Sequence, residues 1–356
     1  MKQLSQFCLI LLTLAAVSGC TSLRYYSQAI GGQWDLMVSG QPIHELLADP
    51  QLDAGLRRQL RTAMAARQFA RQRLALPVGN SYQEYIQLER PHVVVNLMAV
   101  PEFSLAPHQW CYPVVGCQSY RGYFDPANAR LEQAQFDAQG FDTLLGAVTA
   151  YSTLGWFDDP LHSGFTDLPS ERMVALLFHE LSHQVVYLAG DTAFNESFAT
   201  AVELEGLRLW LAEQGEPAGF NRALERLARR RQTQALVTQA TARLETLYAQ
   251  AGQRPDAELR ADKQAILQQL RADYLALSED WAQPGPLGRD PANLNNAHLA
   301  LFQQYHQFVP AFRQLLRDQD FDFPDFYQAV EALSRLAPDA RRQRLDRLAQ
   351  RFDEHL

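Results

Sequence analysis

The sequence predicts an α+β fold that is mostly helical, with a small β-sheet and a long helical hairpin insertion. Three observations support this prediction. Apolar residues recur at helical spacing over much of the 356-residue chain, one region is rich in aromatic and β-branched residues, and two charged helical stretches meet at a Gly/Pro turn. The composition, 47% hydrophobic and 20% charged, is that of a globular protein with a substantial core.

Residues 1–19 are predicted to be a lipoprotein signal peptide. Lys2 precedes a mostly apolar run from Phe7 to Val17, which is too short to span a bilayer comfortably. The following Val17-Ser18-Gly19-Cys20 resembles a bacterial lipoprotein processing box, so cleavage would leave Cys20 as the lipidated first residue. The alternatives are a plain signal peptide with an incidental cysteine and an uncleaved anchor.

The residues after Cys20 carry no acidic retention signal, and by resemblance to lipoprotein sorting rules this favours the outer membrane. We therefore expect a lipid-anchored protein of the bacterial cell envelope that faces the periplasm. Loss of Lys2 with the signal peptide changes the formal net charge from −8 to −9. An acidic protein has no electrostatic reason to bind nucleic acid.

The first half of the chain contains the predicted sheet. Residues 25–75 show apolar positions at helical spacing. The composition then changes to aromatic and β-branched residues, typical of strands, at residues 82–88, 93–100 and 120–124. Residues 145–151 are a fourth candidate strand, although their small residues would also suit a helix.

Two consecutive helices are predicted after the sheet. The first runs from about Asp167 to Leu188, where apolar residues recur at steps of three and four and form one buried stripe. The second should begin after Gly190, because Asp191 or Thr192 can cap its free amides.

The remaining chain is predicted to be helical. Residues 217–277 form two strongly charged stretches broken at residues 252–256, which predicts an antiparallel hairpin. Its Leu and Ala repeat could pack on the body or stand out into solvent. A Pro/Gly-rich link at residues 284–288 closes the insertion. The predicted units are the signal peptide (1–19), the N-terminal helices, sheet and catalytic core (20–216), the hairpin insertion (217–283) and the C-terminal helical part of the catalytic domain (284–356).

The four cysteines have different predicted roles. Cys8 lies in the signal peptide and Cys20 would carry lipid, which leaves Cys111 and Cys117 in the mature protein. Export to an oxidising compartment predicts a disulfide between them, with free thiols as the alternative.

His179-Glu180-Leu181-Ser182-His183 matches the pattern H-E-x-x-H inside the first of the two predicted helices. Helical geometry places His179 and His183 on one face, one turn apart, so that both can bind a single Zn²⁺. Glu180 is long enough to approach a water in the open position of the metal, and we expect it to act as the general base. The alternative is a chance match with histidines packed in a core.

The third metal ligand is predicted to be Glu196, which lies in Asn195-Glu196-Ser197-Phe198-Ala199 on the next helix. Two histidines with a downstream helical glutamate resemble the gluzincin group of metallopeptidases, and this resemblance implies a zincin-like fold with Zn²⁺ as cofactor. The spacing after His183 is shorter here than in the large aminopeptidases of that group.

Further candidates surround this motif. Tyr305 is the predicted donor to the oxyanion, and the alternative is an aromatic side chain packed in the core. Thr200 could hydrogen bond a ligating histidine, and residues 151–155 could form an edge for a peptide. Glu203 lies two turns beyond Glu196 and is interpreted as supporting the ligands or as solvated.

Additional segments resemble a family of bacterial lipoproteins described as aminopeptidases, over nearly the whole mature chain. These segments are Tyr25-Tyr26-Ser27-Gln28-Ala29, Trp110-Cys111-Tyr112-Pro113, the stretch from Ala150 to Phe157 and the stretch from Asp191 to Thr200.

This resemblance implies peptide substrates and an aminopeptidase activity. The alternatives are a zinc endopeptidase of envelope quality control and a non-catalytic, zinc-stabilised envelope lipoprotein. An acidic pair that anchors a free amine would favour the exopeptidase, and its candidates are Glu203, Glu205, Asp158 and Asp159.

Overall fold

The computed structural model describes residues 25–353, apart from residues 33, 35, 37, 91, 113–115, 149–152, 154–156 and 304–307. The predicted signal peptide and Cys20 lie outside the described residues. The described architecture is α+β, mostly helical with small sheets, as the sequence predicts. Among the described helices, none has the length and apolar character needed to cross a membrane.

The elements are numbered here in chain order, and residues 25–32 before them are also helical. They are β1 (Gln41–Pro42), α1 (Ile43–Ala48), α2 (Ala54–Arg73), β2 (Glu84–Ile86), β3 (Val94–Pro101), β4 (Trp110–Tyr112), β5 (Gly116–Gln118), β6 (Arg121–Tyr123), α3 (Pro126–Ala138), β7 (Phe141–Val148), β8 (Leu161–His162), α4 (Ser163–Thr166), α5 (Ser170–Ser182), α6 (Thr192–Glu213), α7 (Gly219–Tyr248), α8 (Asp256–Ser278), α9 (Asn296–Gln303), α10 (Val309–Asp318), α11 (Phe323–Ser334) and α12 (Pro338–Arg351).

The described residues form three small sheets. In the largest, β3 lies between β6 and β7 and is antiparallel to both. The strand is central because its apolar run Val-Val-Asn-Leu-Met-Ala-Val is buried on both faces, and α3 packs against it. A second sheet joins β1 and β8 to the two sides of β2. The third is the hairpin of β4 and β5.

The hairpin of β4 and β5 carries the two mature cysteines. Cys111 and Cys117 are paired in register, and a disulfide joins them. Directly opposed residues of an antiparallel pair have closely spaced Cβ atoms, so the register itself permits the bond.

The main core lies among helices. Apolar faces of α2, α5, α6 and the C-terminal helices α10, α11 and α12 form one buried cluster. Phe178 of α5 stacks on Phe69 of α2, and Phe198 of α6 contacts Phe312 of α10. This packing fixes α5 and α6, the two helices that carry the predicted metal ligands.

Helices α7 and α8 form the predicted hairpin, and the break between them contains Gly252 in the left-handed region at φ 79°. Whether the hairpin packs on the body was open, and the structure shows that it does. Lys263 pairs with Asp142 of β7 at 2.7 Å, and the Tyr248 hydroxyl donates to Asn296 of α9 at 2.7 Å.

One predicted element differs from the structure, and one helix of the structure was not predicted. The helix expected over residues 167–188 covers Ser170–Ser182, so Val185 and Leu188 follow the helix and pack against the core from the loop. Helix α3 was not predicted, because its Gln and Ala residues give only a weak apolar stripe. The strands expected at 82–88, 93–100, 120–124 and 145–151 correspond to β2, β3, β6 and the end of β7.

Candidate metal centre

Helix α5 presents its last turn to the predicted metal site. The H-E-x-x-H motif occupies this turn, and His183 is the C-cap residue that directly follows Ser182. The opposite face of the helix is anchored by the buried side chains of Met173, Leu177 and Leu181. The motif is therefore held on a packed helix that ends at the second histidine.

The loop between α5 and α6 is fixed by side chains at the start of α6. The Asn195 amide donates to the Leu188 carbonyl and accepts from the Leu188 N–H, both at 2.8 Å. Asp191 caps α6 by accepting from the Phe194 N–H, and it also pairs with Arg341 of α12 at 2.8 Å. These bonds set where Glu196 emerges, one residue after Asn195.

The three predicted metal ligands converge. One ligand atom from each of His179, His183 and Glu196 lies within 4.8 Å of the others. The Nε2 atoms of His179 and His183 lie 3.4 Å and 3.7 Å from the two oxygens of Glu196. The two imidazoles are mostly buried, and their ring centroids are 5.1 Å apart.

Glu203 lies against the outer nitrogen of His179. Its Oε2 atom is 3.0 Å from His179 Nδ1, one of the two roles that the sequence left open for this residue. Burial lowers the pKa of His179, but the carboxylates of Glu196 and Glu203 outweigh it, and the net pKa is well above the ordinary value. In the metal-free protein the His179 ring is therefore held as a cation between two carboxylates.

His183 has a different environment. Its Nδ1 atom is buried and has no hydrogen-bond partner among the described residues. Burial is the main reason that the pKa of His183 falls to about 4, and the His179 cation lowers it further. His183 is thus neutral near pH 7, which is the form that binds a metal ion.

Glu180 is buried beside the cluster without belonging to it. Burial raises the pKa of its carboxyl to about 7, although the His179 cation acts in the opposite direction. Such a carboxyl can accept and release a proton near neutral pH. Glu180 is buried, lies next to two histidines and can exchange a proton near neutral pH. These are the properties expected of a general base.

Two tyrosines near the motif were not singled out from the sequence. The Tyr82 hydroxyl is buried and has no hydrogen-bond partner in the part of the chain that the structure describes. Burial is the main reason that its pKa is raised well above the ordinary value, and the charge of Glu180 raises it further. Tyr187 lies in the loop after His183, within hydrogen-bond reach of Gln118 on β5 and close enough to Glu196 for its charge to affect the phenol. Neither tyrosine stands at a motif spacing that the sequence could reveal, because the fold alone brings them close to the site.

The acidic candidates for binding a free amine have other partners. Glu205 is buried and pairs with Arg313 at 2.8 Å and with Arg208 at 2.7 Å. Asp159 accepts from the Thr153 N–H at 2.9 Å, and Asp158 accepts from the Asn80 amide. Glu203 is bound to His179. Tyr305 lies outside the described residues, as do residues 151, 152, 154 and 155 of the candidate peptide edge.

Two convergent histidines, a carboxylate from the next helix and a buried carboxyl beside them are together typical of hydrolytic metal sites. The family described as "Putative aminopeptidase" matches residues 24–345. The chain belongs to this family, and peptidase function is what that membership suggests. Neither a curated protein nor a solved structure was found to match the chain.

Proposed function

We propose that this protein is a zinc-dependent peptidase, with an aminopeptidase as the leading form and a zincin-like, gluzincin-type site. The observation that supports it best is the convergence of His179, His183 and Glu196 with Glu180 buried beside them. Membership of the aminopeptidase family supports the same assignment and implies peptide substrates.

The donor set fits zinc. Two imidazole nitrogens and one carboxylate oxygen are ligands that catalytic zinc sites use, with a fourth position left open. His179 Nε2 lies 3.4 Å from Oε2 of Glu196, and His183 Nε2 lies 3.7 Å from Oε1. One donor atom from each of the three residues lies within 4.8 Å of the others, so the three residues would together hold one ion.

When bound, zinc would act as a Lewis acid toward the scissile carbonyl and make a water more acidic. Glu180 takes the proton of the attacking water and delivers it to the nitrogen of the leaving amine. Glu203 fixes the His179 ring through Nδ1, so that Nε2 faces the site. Tyr305 is the proposed donor to the developing oxyanion, and Tyr187 is the second candidate because it lies near Glu196.

We also propose that the protein is lipidated on Cys20 and lies in the bacterial cell envelope, at the outer membrane. The processing box before Cys20 supports this assignment. The disulfide between Cys111 and Cys117 is consistent with export to an oxidising compartment.

A zinc endopeptidase is the second candidate. The acidic residues that might anchor a free amine are engaged elsewhere, and Glu205 in particular is enclosed by two arginines. A non-catalytic, zinc-stabilised lipoprotein has less support, because a structural zinc site needs no base beside its ligands and is usually closed by a fourth protein donor.

The decisive experiment compares Glu180→Gln with Glu196→Gln. Glu180→Gln should retain zinc but lose activity by on the order of 10²-fold or more, the usual contribution of a positioned base. Glu196→Gln should lose zinc, because a neutral amide replaces an anionic ligand. Metal content and hydrolysis are measured on the same samples, with free and blocked amino-terminal fluorogenic peptides.

The substrate panel separates the candidates. Cleavage confined to free amino termini supports the aminopeptidase, and cleavage of blocked peptides supports the endopeptidase. Full activity of Glu180→Gln would refute the mechanism. Zinc binding by the wild type without turnover on any peptide would favour the non-catalytic lipoprotein.

A further inference from the structure

An exposed apolar stripe follows the start of the described chain. Tyr26, Ile30, Trp34 and Val38 are in helical conformation and are 41%, 69%, 60% and 59% exposed. Their spacing of four residues places them along one side of a helix. Contiguous exposed apolar surface of this kind marks an interaction site more often than scattered single residues do.

The other side of this segment is docked on the body. The Tyr25 ring contacts the rings of Tyr112 and Tyr123 at 5.8 Å and 5.6 Å. The guanidinium of Arg121 lies over the same ring, 3.7 Å from its centroid. Tyr25 is thus held by the disulfide hairpin and by β6.

Two further contacts fix the orientation. The Gln28 side chain accepts the Phe124 N–H at 3.0 Å. A Cβ added at Gly32 would lie 2.2 Å from the Phe124 ring, so only glycine allows the helix to approach this closely. Because Tyr25, Gln28 and Gly32 face the body, the stripe faces away from it.

We propose that this stripe lies in the interfacial region of the lipid bilayer that holds the anchor. The inference rests on the proposed lipidation of Cys20, which precedes Tyr25 by five residues. Five extended residues span at most about 18 Å, so the start of the helix stays within about that distance of the lipid on Cys20. Tyr and Trp favour the headgroup region, and Ile and Val favour the acyl boundary.

The charge pattern indicates which kind of membrane contact this is. Residues 25–40 contain no Lys or Arg, and the whole chain carries a formal charge of −8. The contact is therefore apolar rather than electrostatic. It should not depend on anionic lipid or on ionic strength, unlike contacts made by basic surface helices.

The same docking connects the membrane face to the metal centre. Tyr25 packs on Tyr112 of β4, while Gln118 of the paired strand β5 is within hydrogen-bond reach of Tyr187 in the loop after His183. One disulfide-bonded hairpin thus contacts both the membrane helix and the loop beside the site. The helix would hold the site at a set height and orientation over the bilayer.

The test uses the full lipoprotein, reconstituted in phosphatidylcholine vesicles with brominated acyl chains that quench tryptophan. Wild type should show quenching that is lost in Trp34→Phe and retained in the control Trp281→Phe. Adding phosphatidylglycerol or salt should leave it unchanged. Ile30→Glu with Val38→Glu, both at exposed positions, should reduce the quenching while circular dichroism and thermal unfolding stay as in wild type.

Three results would overturn the proposal, and they are distinguishable. Lipid on Cys20 by mass spectrometry but no quenching of Trp34 would show an anchored protein whose helix avoids the bilayer. No lipid on Cys20 would remove the anchor on which the placement depends. Cross-linking of the stripe to its counterpart in a second copy, with Trp34 shielded from the brominated lipid, would make it a self-association surface. None of these outcomes depends on peptidase activity.

Discussion

The burial that suits Glu180 to its proposed role as general base also has a cost in stability. Its carboxyl is buried, and the positive charge of His179 does not fully compensate for the loss of hydration. Residues that are suited to proton transfer commonly destabilise the fold that holds them. The metal-free protein should reveal this effect directly, because the bound dication is then absent.

The first prediction concerns Glu180→Gln in the metal-free protein. Burial raises the pKa of the folded carboxyl to about 7 from an ordinary value of 4.5. Below pH 4.5 both states are protonated, and there is no penalty. Between pH 4.5 and 7 the unfolded state loses its proton first, so stability falls as pH rises, and the full penalty remains above pH 7.

This shift corresponds to on the order of 3 kcal/mol, which Glu180→Gln should recover above pH 7. Urea unfolding of both proteins at pH 4.5 and pH 8, with a chelator present, measures the difference. The gain should vanish at pH 4.5. An equal difference at both pH values would show that packing, and not ionisation, distinguishes the two side chains.

At the scale of elements, the site depends on how α5 ends and α6 begins. The sequence predicted that Asp191 or Thr192 caps α6, and Asp191 does so, because capping is local chemistry that a short motif reveals. It placed the end of α5 too late, since Val185 and Leu188 continue the apolar period although they pack from a loop. Periodicity reports burial and cannot distinguish a helix from an adjoining loop that is buried on the same side.

The second prediction tests this loop through Asn195→Ala. The change removes both bonds to Leu188, so the Leu188 N–H loses the Asn195 acceptor, while the Leu188 carbonyl keeps its bond from the Asp191 N–H at 3.2 Å. The loss should destabilise the protein by about 2 kcal/mol. Because the loop also sets the distance between His183 and Glu196, zinc affinity should fall by roughly 10-fold or more. Competition with a chelator of known affinity measures it.

The control is Asn128→Ala, since Asn128 donates to Asp125 in an exposed cap far along the chain from the metal ligands. That variant should leave zinc affinity unchanged. If Asn195→Ala binds zinc as tightly as wild type, the loop does not position the ligands.

At the scale of the whole molecule, helix α6 contacts elements that are distant from it in sequence, such as α10. The mostly helical fold, the hairpin and the candidate ligands could be predicted from the sequence. Hydrophobic periodicity, capping residues and motif spacing are all properties of short segments. The docking of the hairpin and the pairing of Glu205 could not, since both depend on contacts between residues more than 100 positions apart. Glu205 was therefore considered as a substrate-binding acid, whereas it holds Arg313 of α10.

The last prediction follows from that pair. Glu205 and Arg313 are both 3% exposed and lie 2.8 Å apart, so Glu205→Gln removes a charge that this buried guanidinium contacts directly. Glu205→Gln should therefore destabilise the protein by about 3 kcal/mol, as loss of one partner of a buried pair does. If Glu205 instead bound the substrate amine, stability would change little and cleavage of free amino termini would fall selectively.

A matched control lies on the same helix, because Glu213 forms an exposed pair with Arg73. Glu213→Gln should change stability by no more than about 0.5 kcal/mol, since surface pairs contribute little. Thermal and urea unfolding measure the stability of Glu205→Gln and Glu213→Gln, which are the same substitution at a buried and at an exposed position. The ratio of activities on free and blocked peptides, measured on the same samples, should equal that of wild type in both, because Glu205 acts on the position of α10 and not on the substrate.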